Sequence, residues 1–305
     1  MINDDYIITA SGLTMDYKNK ISSRALNNLD LKLHKNQLIG LIGANGSGKT
    51  TFFKLCNGVL TPTQGSITLL NGNPAKELYI KENMIYSTNS LPVGNSLKVL
   101  QIVKTYAITY KEFDEKFAKE MLKIFEIPMK KTLSSLSQGM KSILHFCCAL
   151  ACRVKITLLD EPFNGVDIEK RKMAHQILLR DYMEHPRTFV ISSHHLSELE
   201  GVLSEMVLID KGNLIFYKDM DAVREMLFRA DGAKEEIKPF LEREDVCYQN
   251  DGELGGYFVA YGDVKCDFAM EASKIGLKVS PVPPEDVCVY LTSKEKKEAI
   301  ECLWN

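Results

Sequence analysis

The chain has 305 residues, 45% of them hydrophobic and 26% charged, with a formal net charge of −2. That length holds one large domain, or one domain and a small appendage, and buries a sizeable core without disulfides. The near-neutral balance gives no bulk attraction to nucleic acid, the eight cysteines show no paired CxxC spacing and suit a reducing compartment, and no stretch approaches the roughly 18 apolar residues of a membrane span.

The start, MINDDYIITA, lacks the basic region and apolar core of a signal peptide. Tyr6 to Tyr17 and Ala25 to Leu33 alternate apolar and polar residues, which predicts early antiparallel strands. Gln37 to Gly43 is a short apolar run that ends in glycine and reads as a buried strand. A helix is expected over Thr50 to Asn57, then strands at Ser66 to Leu70 and Met84 to Tyr86. From Ser96 to Phe125 the apolar spacing turns helical, closed by Pro128, and Ser137 to Cys152 reads as a further helix. Within it Cys148 and Cys152 lie one turn apart among apolar residues and are expected to be buried small hydrophobes. Ile156 to Asp160 is a strand, Asp167 to Met183 a helix, Thr188 to Ser192 and Glu205 to Asp210 strands, and Lys211-Gly212-Asn213 a hairpin turn.

Strands first, then strands alternating with helices, imply an α/β fold with a mainly parallel core sheet, an antiparallel β portion and an all-helical insertion at about residues 90–150. Past about residue 230 the texture changes. Strands at Val246 to Gln249 and Tyr257 to Tyr261, a helix near Phe268 to Ile275 and a strand at Lys278 to Val282 suggest a small α+β appendage. The expected division is 1–230 and 231–305.

Chemistry is carried first by Gly43-Ala44-Asn45-Gly46-Ser47-Gly48-Lys49-Thr50, which fits GxxxxGK[ST] after a buried strand and before a helix. The glycines allow backbone angles that other residues resist, so loop N–H groups and the helix N-terminus face phosphates. Lys49 neutralises their oxygens, Thr50 offers its hydroxyl to Mg2+, and Thr51 continues the cradle. The second motif is Asp160-Glu161 at the end of an apolar strand. Asp160 is expected to hold Mg2+ through water and Glu161 to act as general base.

Leu136-Ser137-Gln138-Gly139-Met140 then narrows the choice. It resembles the LSGGQ signature of ATP-binding cassette (ABC) proteins and lies just before a helix, between the two phosphate motifs. The resemblance covers about residues 5–220. It implies that Ser137, Gln138 and Gly139 meet the γ-phosphate of ATP held by an opposite subunit, so that two cassettes, alike or different, share each site. It implies that Tyr17 stacks on adenine, that Asp167 in Asn164-Gly165-Val166-Asp167 belongs to the loop that reaches across the dimer, and that His194 contacts the γ-phosphate and positions Glu161. It aligns Asn89 with the glutamine that touches Mg2+ and senses a membrane subunit, one methylene shorter than usual. Gln138 and Met140 also depart from the common signature. The runs ISSHHLSELE and PEDVCVYLTSKEKK are most similar to export-type ABC-2 ATPases, including the bacitracin-resistance class. The resemblance therefore implies an ATP- and Mg2+-dependent ATPase, cytoplasmic and peripheral on the inner face of the cell membrane, driving export through a separate membrane-spanning subunit, with no nucleic-acid partner. The alternative is a soluble ABC ATPase acting on the ribosome or nucleic acid. Such proteins carry two cassettes or a long coiled coil in one chain, whereas this chain has one phosphate cradle and no heptad stretch.

Overall fold

The computed structural model describes residues 5–17, 23–88, 96–252, 255–262 and 268–292. The chain divides into two compact units: Met1–His194 with Gly201–Tyr217, and His195–Glu200 with Lys218–Asn305.

In the first unit, β1 (Tyr6–Tyr17), β2 (Ser23–His34) and β4 (Gln64–Leu69) form an antiparallel sheet in the order β2-β1-β4. A second sheet takes β3 (Leu38–Ile42), β5 (Met84–Thr88), β6 (Ile156–Asp160), β7 (Thr188–Ser193), β8 (Glu205–Asp210) and β9 (Asn213–Asp219) in the order β5-β6-β7-β3-β8-β9. β5 to β8 and β3 are mutually parallel. Every residue of β3, β6 and β7 is buried, as expected of strands covered on both faces. β2 alternates instead, because only one of its faces meets the core. Lys211 and Gly212 both have positive φ, 45° and 81°, so the β8–β9 connection is the tight hairpin turn read from Lys211-Gly212-Asn213.

One helix joins the two sheets. α1 (Lys49–Cys56) buries Phe52, Phe53, Leu55 and Cys56 in a cluster with Leu13, Leu29 and Leu33 of the antiparallel sheet and Leu41, Leu158 and Val190 of the parallel one. α2 (Leu78–Glu82) precedes β5. The helical insertion holds α3 (Val99–Thr109), α4 (Glu115–Ile124) and α5 (Gln138–Ala151). The helical stretch expected from Ser96 to Phe125 holds two helices. Asp114 divides them, because its carboxylate accepts the Phe117 N–H at 2.9 Å and starts α4 afresh. α6 (Ile168–Glu184) follows β6. The expected α/β class, with a parallel core sheet, an antiparallel sheet and a helical insertion, is the architecture found.

The second unit contains α7 (Met220–Arg224), β10 (Leu227–Gly232), α8 (Lys234–Ile237), β11 (Val246–Gly252), β12 (Gly255–Tyr261), α9 (Phe268–Lys274), β13 (Lys278–Pro281) and α10 (Pro284–Thr292). Its sheet runs β11-β12-β10-β13 with every neighbouring pair antiparallel. From β10 to β13 this is a β-α-β-β-α-β pattern. Phe228, Phe240, Phe258 and Phe268 pack on one face of that sheet, with Phe240 and Phe268 both stacked on Phe258 at 5.5 Å between ring centroids. The expected boundary at 230 falls inside β10, and α7 before it also belongs to this unit.

α5 carries a buried histidine. His145 is 3% exposed, its Nδ1 has no hydrogen-bond partner among the described residues, and burial, with Lys141 acting in the same direction, lowers its pKa to about 4. The folded chain therefore keeps it neutral, whereas the unfolded chain protonates it below about 6.5. Its contribution to stability is complete above about pH 6.5 and is lost as the pH falls toward about 4. Urea unfolding at about pH 7 and pH 5 checks this: the wild type loses on the order of 2 kcal/mol more than His145→Gln over that interval.

Candidate functional site

Residues Gly43 to Gly48 form the loop between β3 and α1. Gly48 has φ 114°, and a Cβ there would lie 2.6 Å from the Ala25 carbonyl oxygen. A larger residue fails on both counts. Ala44, Asn45 and Gly46 are exposed, while Ser47 and Lys49 are 3% and 5% exposed. Lys49 Nζ donates to the Gly43 and Ala44 carbonyls at 2.6 and 3.2 Å and lies 3.8 Å from Glu161 Oε1. Burial pushes this ammonium below its ordinary pKa, and the carboxylates of Glu161 and Asp160 push it back up. The buried Ser47 hydroxyl has no hydrogen-bond partner among the described residues.

Opposite the loop stand the residues that end β6. Asp160 is 6% exposed, and each of its carboxylate oxygens accepts one hydroxyl: Oδ1 from Ser192 at 2.6 Å, Oδ2 from Tyr86 at 2.9 Å. Burial first, and the Asp160 charge second, push the Tyr86 phenol upward, so it keeps its proton and donates. Glu161 has a φ of 49°, a left-handed angle for a side-chain-bearing residue, which costs about 1–2 kcal/mol. Its N–H donates to Ser192 Oγ at 3.0 Å, and its Oε2 lies 2.9 Å from His194 Nδ1. An ionised carboxylate only accepts, so Nδ1 carries the proton in that contact. Strain of this kind concentrates where a side chain is aimed for function.

Tyr17, at the end of β1, reaches α1: its hydroxyl is 3.2 Å from Thr51 Oγ1, and its side chain remains partly exposed. Thr50 is exposed at the first turn of α1.

The remaining predicted residues form a second group. Ser137 caps α5, its hydroxyl accepting the Met140 N–H at 3.2 Å, and Asp167 caps α6, accepting the Lys170 N–H at 2.9 Å. Ser142 Oγ donates to the Asn164 carbonyl at 2.8 Å and ties the two helix starts together. A Cβ on Gly139 would collide with the Gly165 carbonyl oxygen, so only glycine permits this approach. The contacts of Ser137, Gln138 and Gly139 go to α5 and the 164–166 loop, not to the Gly43–Thr51 loop. Asn89, the expected Mg2+ contact, lies outside the described residues. Sequence reasoning singled out Asp160 and Glu161 but not the two hydroxyls that hold them, since Ser192 and Tyr86 stand on strands whose adjacency to β6 is a tertiary fact.

A strand, a glycine-rich loop, a helix opening on a buried lysine and an acidic pair ending another parallel strand of the same sheet define the P-loop class of nucleotide-binding proteins. Residues 26–164 match the family model described as ABC transporter. The chain is 30% identical over 218 residues to the bacitracin transport ATP-binding protein BcrA of Enterococcus faecalis, covering 69% of this chain and 68% of that protein. It is 28% identical over 235 residues to the ABC transporter ATP-binding protein YtrB of Bacillus subtilis (strain 168), covering 74% and 80%. A dimeric ATP-binding cassette solved in a post-hydrolysis state with ADP and Pi shares the fold at a TM-score of 0.63 and 20% identity, covering 70% of this chain and 99% of that one. The chain belongs to the ATP-binding cassette family of ATPases, among the ATP-binding proteins of ABC transporters.

The tight approach at Gly139 gives a direct test of the second group. Gly139→Ala should lower stability by about 1–3 kcal/mol, because the added methyl forces the starts of α5 and α6 apart; thermal or urea unfolding measures it.

Proposed function

We propose that this chain is the ATP-hydrolysing subunit of an exporter, working as a pair of cassettes beneath a separate membrane-spanning chain. The observation that carries the catalytic reading is the convergence of Lys49, Glu161 and His194 beside the glycine loop: Nζ 3.8 Å from one Glu161 oxygen and His194 Nδ1 2.9 Å from the other.

The residues present fit a Mg2+–nucleotide. A buried lysine that donates to two loop carbonyls, a buried hydroxyl with no partner among the described residues and a loop too tight for a Cβ suit phosphate oxygens. A near-buried carboxylate and an exposed threonine hydroxyl suit a hard divalent ion. Mg2+, when bound, neutralises charge on the β- and γ-oxygens. Gly43 to Thr51 cradle the phosphates, and Tyr17 supplies an aromatic face for the base. Thr50 and Asp160 hold the ion, with Asn89 as the third proposed contact. Glu161 takes the proton of the attacking water, and His194 fixes the orientation of that carboxylate while remaining within reach of the γ-phosphate. Lys49 holds its positive charge at the same phosphate, 3.8 Å from Glu161 Oε1.

Ser137, Gln138, Gly139 and Asp167 serve the site of a second cassette, a role supported by their separation from this chain's own loop and by the dimeric form of the related cassette. BcrA and YtrB are named as a transport and a transporter protein, which supports the transporter role. Among the described residues no helix is long and apolar enough to cross a membrane, and the proposal gives that crossing to the partner chain, with this subunit on the inner face of the cell membrane. Residues 231–305 belong to an appended α+β domain in this reading.

Glu161→Gln should lower the ATP turnover number by about 10²–10⁴-fold, because the base is removed, while equilibrium binding of a fluorescent ATP analogue stays near the wild-type value. Unchanged turnover would remove Glu161 from its role. For the partner, the tagged chain captured from its native host in mild detergent should bring down a multi-span membrane protein in stoichiometric amount; its consistent absence, or recovery of ribosomes instead, counts against the transporter assembly.

A further inference from the structure

We propose that Ser192 and Tyr86 are positioning residues of the ATPase site, two hydroxyls that set the carboxylate of Asp160 and the turned backbone of Glu161 for the Mg2+–nucleotide. The inference rests on the ATPase reading above.

The geometry begins with strand order. β6 lies between β5 and β7, and Asp160 is in register with Thr88 on one side and Ser192 on the other. Tyr86 stands two residues before Thr88 on the same face, so its long side chain runs along the strand toward Asp160. Its ring packs against Phe53 of α1 with centroids 5.9 Å apart. The helix that opens with Lys49 thus also orients the Tyr86 hydroxyl. Ser192 is fully buried.

Hydrogen-bond bookkeeping then assigns the roles. A serine hydroxyl has one proton to give. Ser192 gives it to Asp160 Oδ1 at 2.6 Å and accepts the Glu161 N–H at 3.0 Å, so one atom couples both acids. Tyr86 gives its proton to Asp160 Oδ2 at 2.9 Å. With one donor on each oxygen, the carboxylate cannot turn about χ2, and its remaining lone pairs keep one direction. The Ser192 contact to the Glu161 N–H supports the left-handed angle of 49° that turns the Glu161 side chain toward Lys49 and His194. A group that orients a metal-holding carboxylate without touching the metal acts on affinity and rate through that carboxylate.

The test uses the full chain in four forms besides wild type: Ser192→Ala, Ser192→Thr, Tyr86→Phe and Glu161→Gln. A fluorescent ADP analogue is titrated with Mg2+ and again with EDTA, and kcat, KM for ATP and thermal stability are recorded. In Ser192→Ala and Tyr86→Phe the affinity gained from Mg2+ should shrink about tenfold, affinity in EDTA should hold, kcat should fall and KM for ATP should rise. Ser192→Thr keeps the hydroxyl and should restore both. Tyr86→Phe keeps the ring against Phe53, so it carries the test if Ser192→Ala does not fold. An intact Mg2+ gain and normal kcat in Tyr86→Phe and Ser192→Ala, with or without a drop in thermal stability, overturns the proposal. If Glu161→Gln is inactive in that case, the ATPase reading stands and only the positioning role falls; if the wild-type chain itself shows no Mg2+-dependent ATP turnover, the ATPase reading has failed.

Discussion

The parallel register of β3, β6 and β7 is the constraint on which the site depends. These strands are buried along their full length and point the same way, so their carboxyl ends open on one edge of the sheet. Gly43, Glu161 and His194 are each the first residue past a strand end: past Ile42, Asp160 and Ser193. Open parallel sheets bind ligands outside their carboxyl ends for this reason. Three segments far apart in sequence deliver the glycine loop, the acid and the histidine to one place because three apolar strands have nowhere else to be buried. A slip of one residue in any of them would turn its side chains to the opposite face.

Burial at that edge sets the electrostatics. Lys49 is removed from water and compensated by loop carbonyls and by Glu161, an arrangement that leaves a cation poorly solvated and ready for an anion. Asp160 accepts one hydroxyl on each of its oxygens, from Ser192 and from Tyr86. The left-handed angle at Glu161 is the cost of aiming both of its oxygens, one at Lys49 and one at His194. α1 ties these terms to the core. Phe52 and Phe53 lock the helix between the two sheets, and Lys49, at the start of the same helix, moves only if that packing moves.

The helix starts of α5 and α6 obey a different rule. There the controlling quantity is distance between backbones, which Gly139 reduces to a contact that no other residue allows. Ser137 and Asp167 each satisfy a helix N–H, and Ser142 bonds across to the neighbouring loop. This rigid corner presents Ser137 and Gln138 to solvent, a position suited to the proposed second cassette. The second unit stands apart in its construction, with an aromatic core of its own built from Phe228, Phe240, Phe258 and Phe268.

What the sequence by itself determined is local. The glycine loop was legible because its angles and close contacts exclude side chains, and the strands read at Gln37–Gly43, Ile156–Asp160 and Thr188–Ser192 because each centres on a short apolar run. The α/β class followed from their alternation with helices. The break at Asp114 and the start of the second unit before β10 were missed, since a capping carboxylate inside a helical pattern and a short helix on a domain border leave little periodic signal. What only the tertiary structure decided is which strands are neighbours. The order β5-β6-β7-β3 places Tyr86 and Ser192 on either side of Asp160, a hydrogen-bonded arrangement among residues separated by 74 and 32 positions in the chain. No local propensity encodes such a pairing, because the energy that selects it comes from burying the whole sheet.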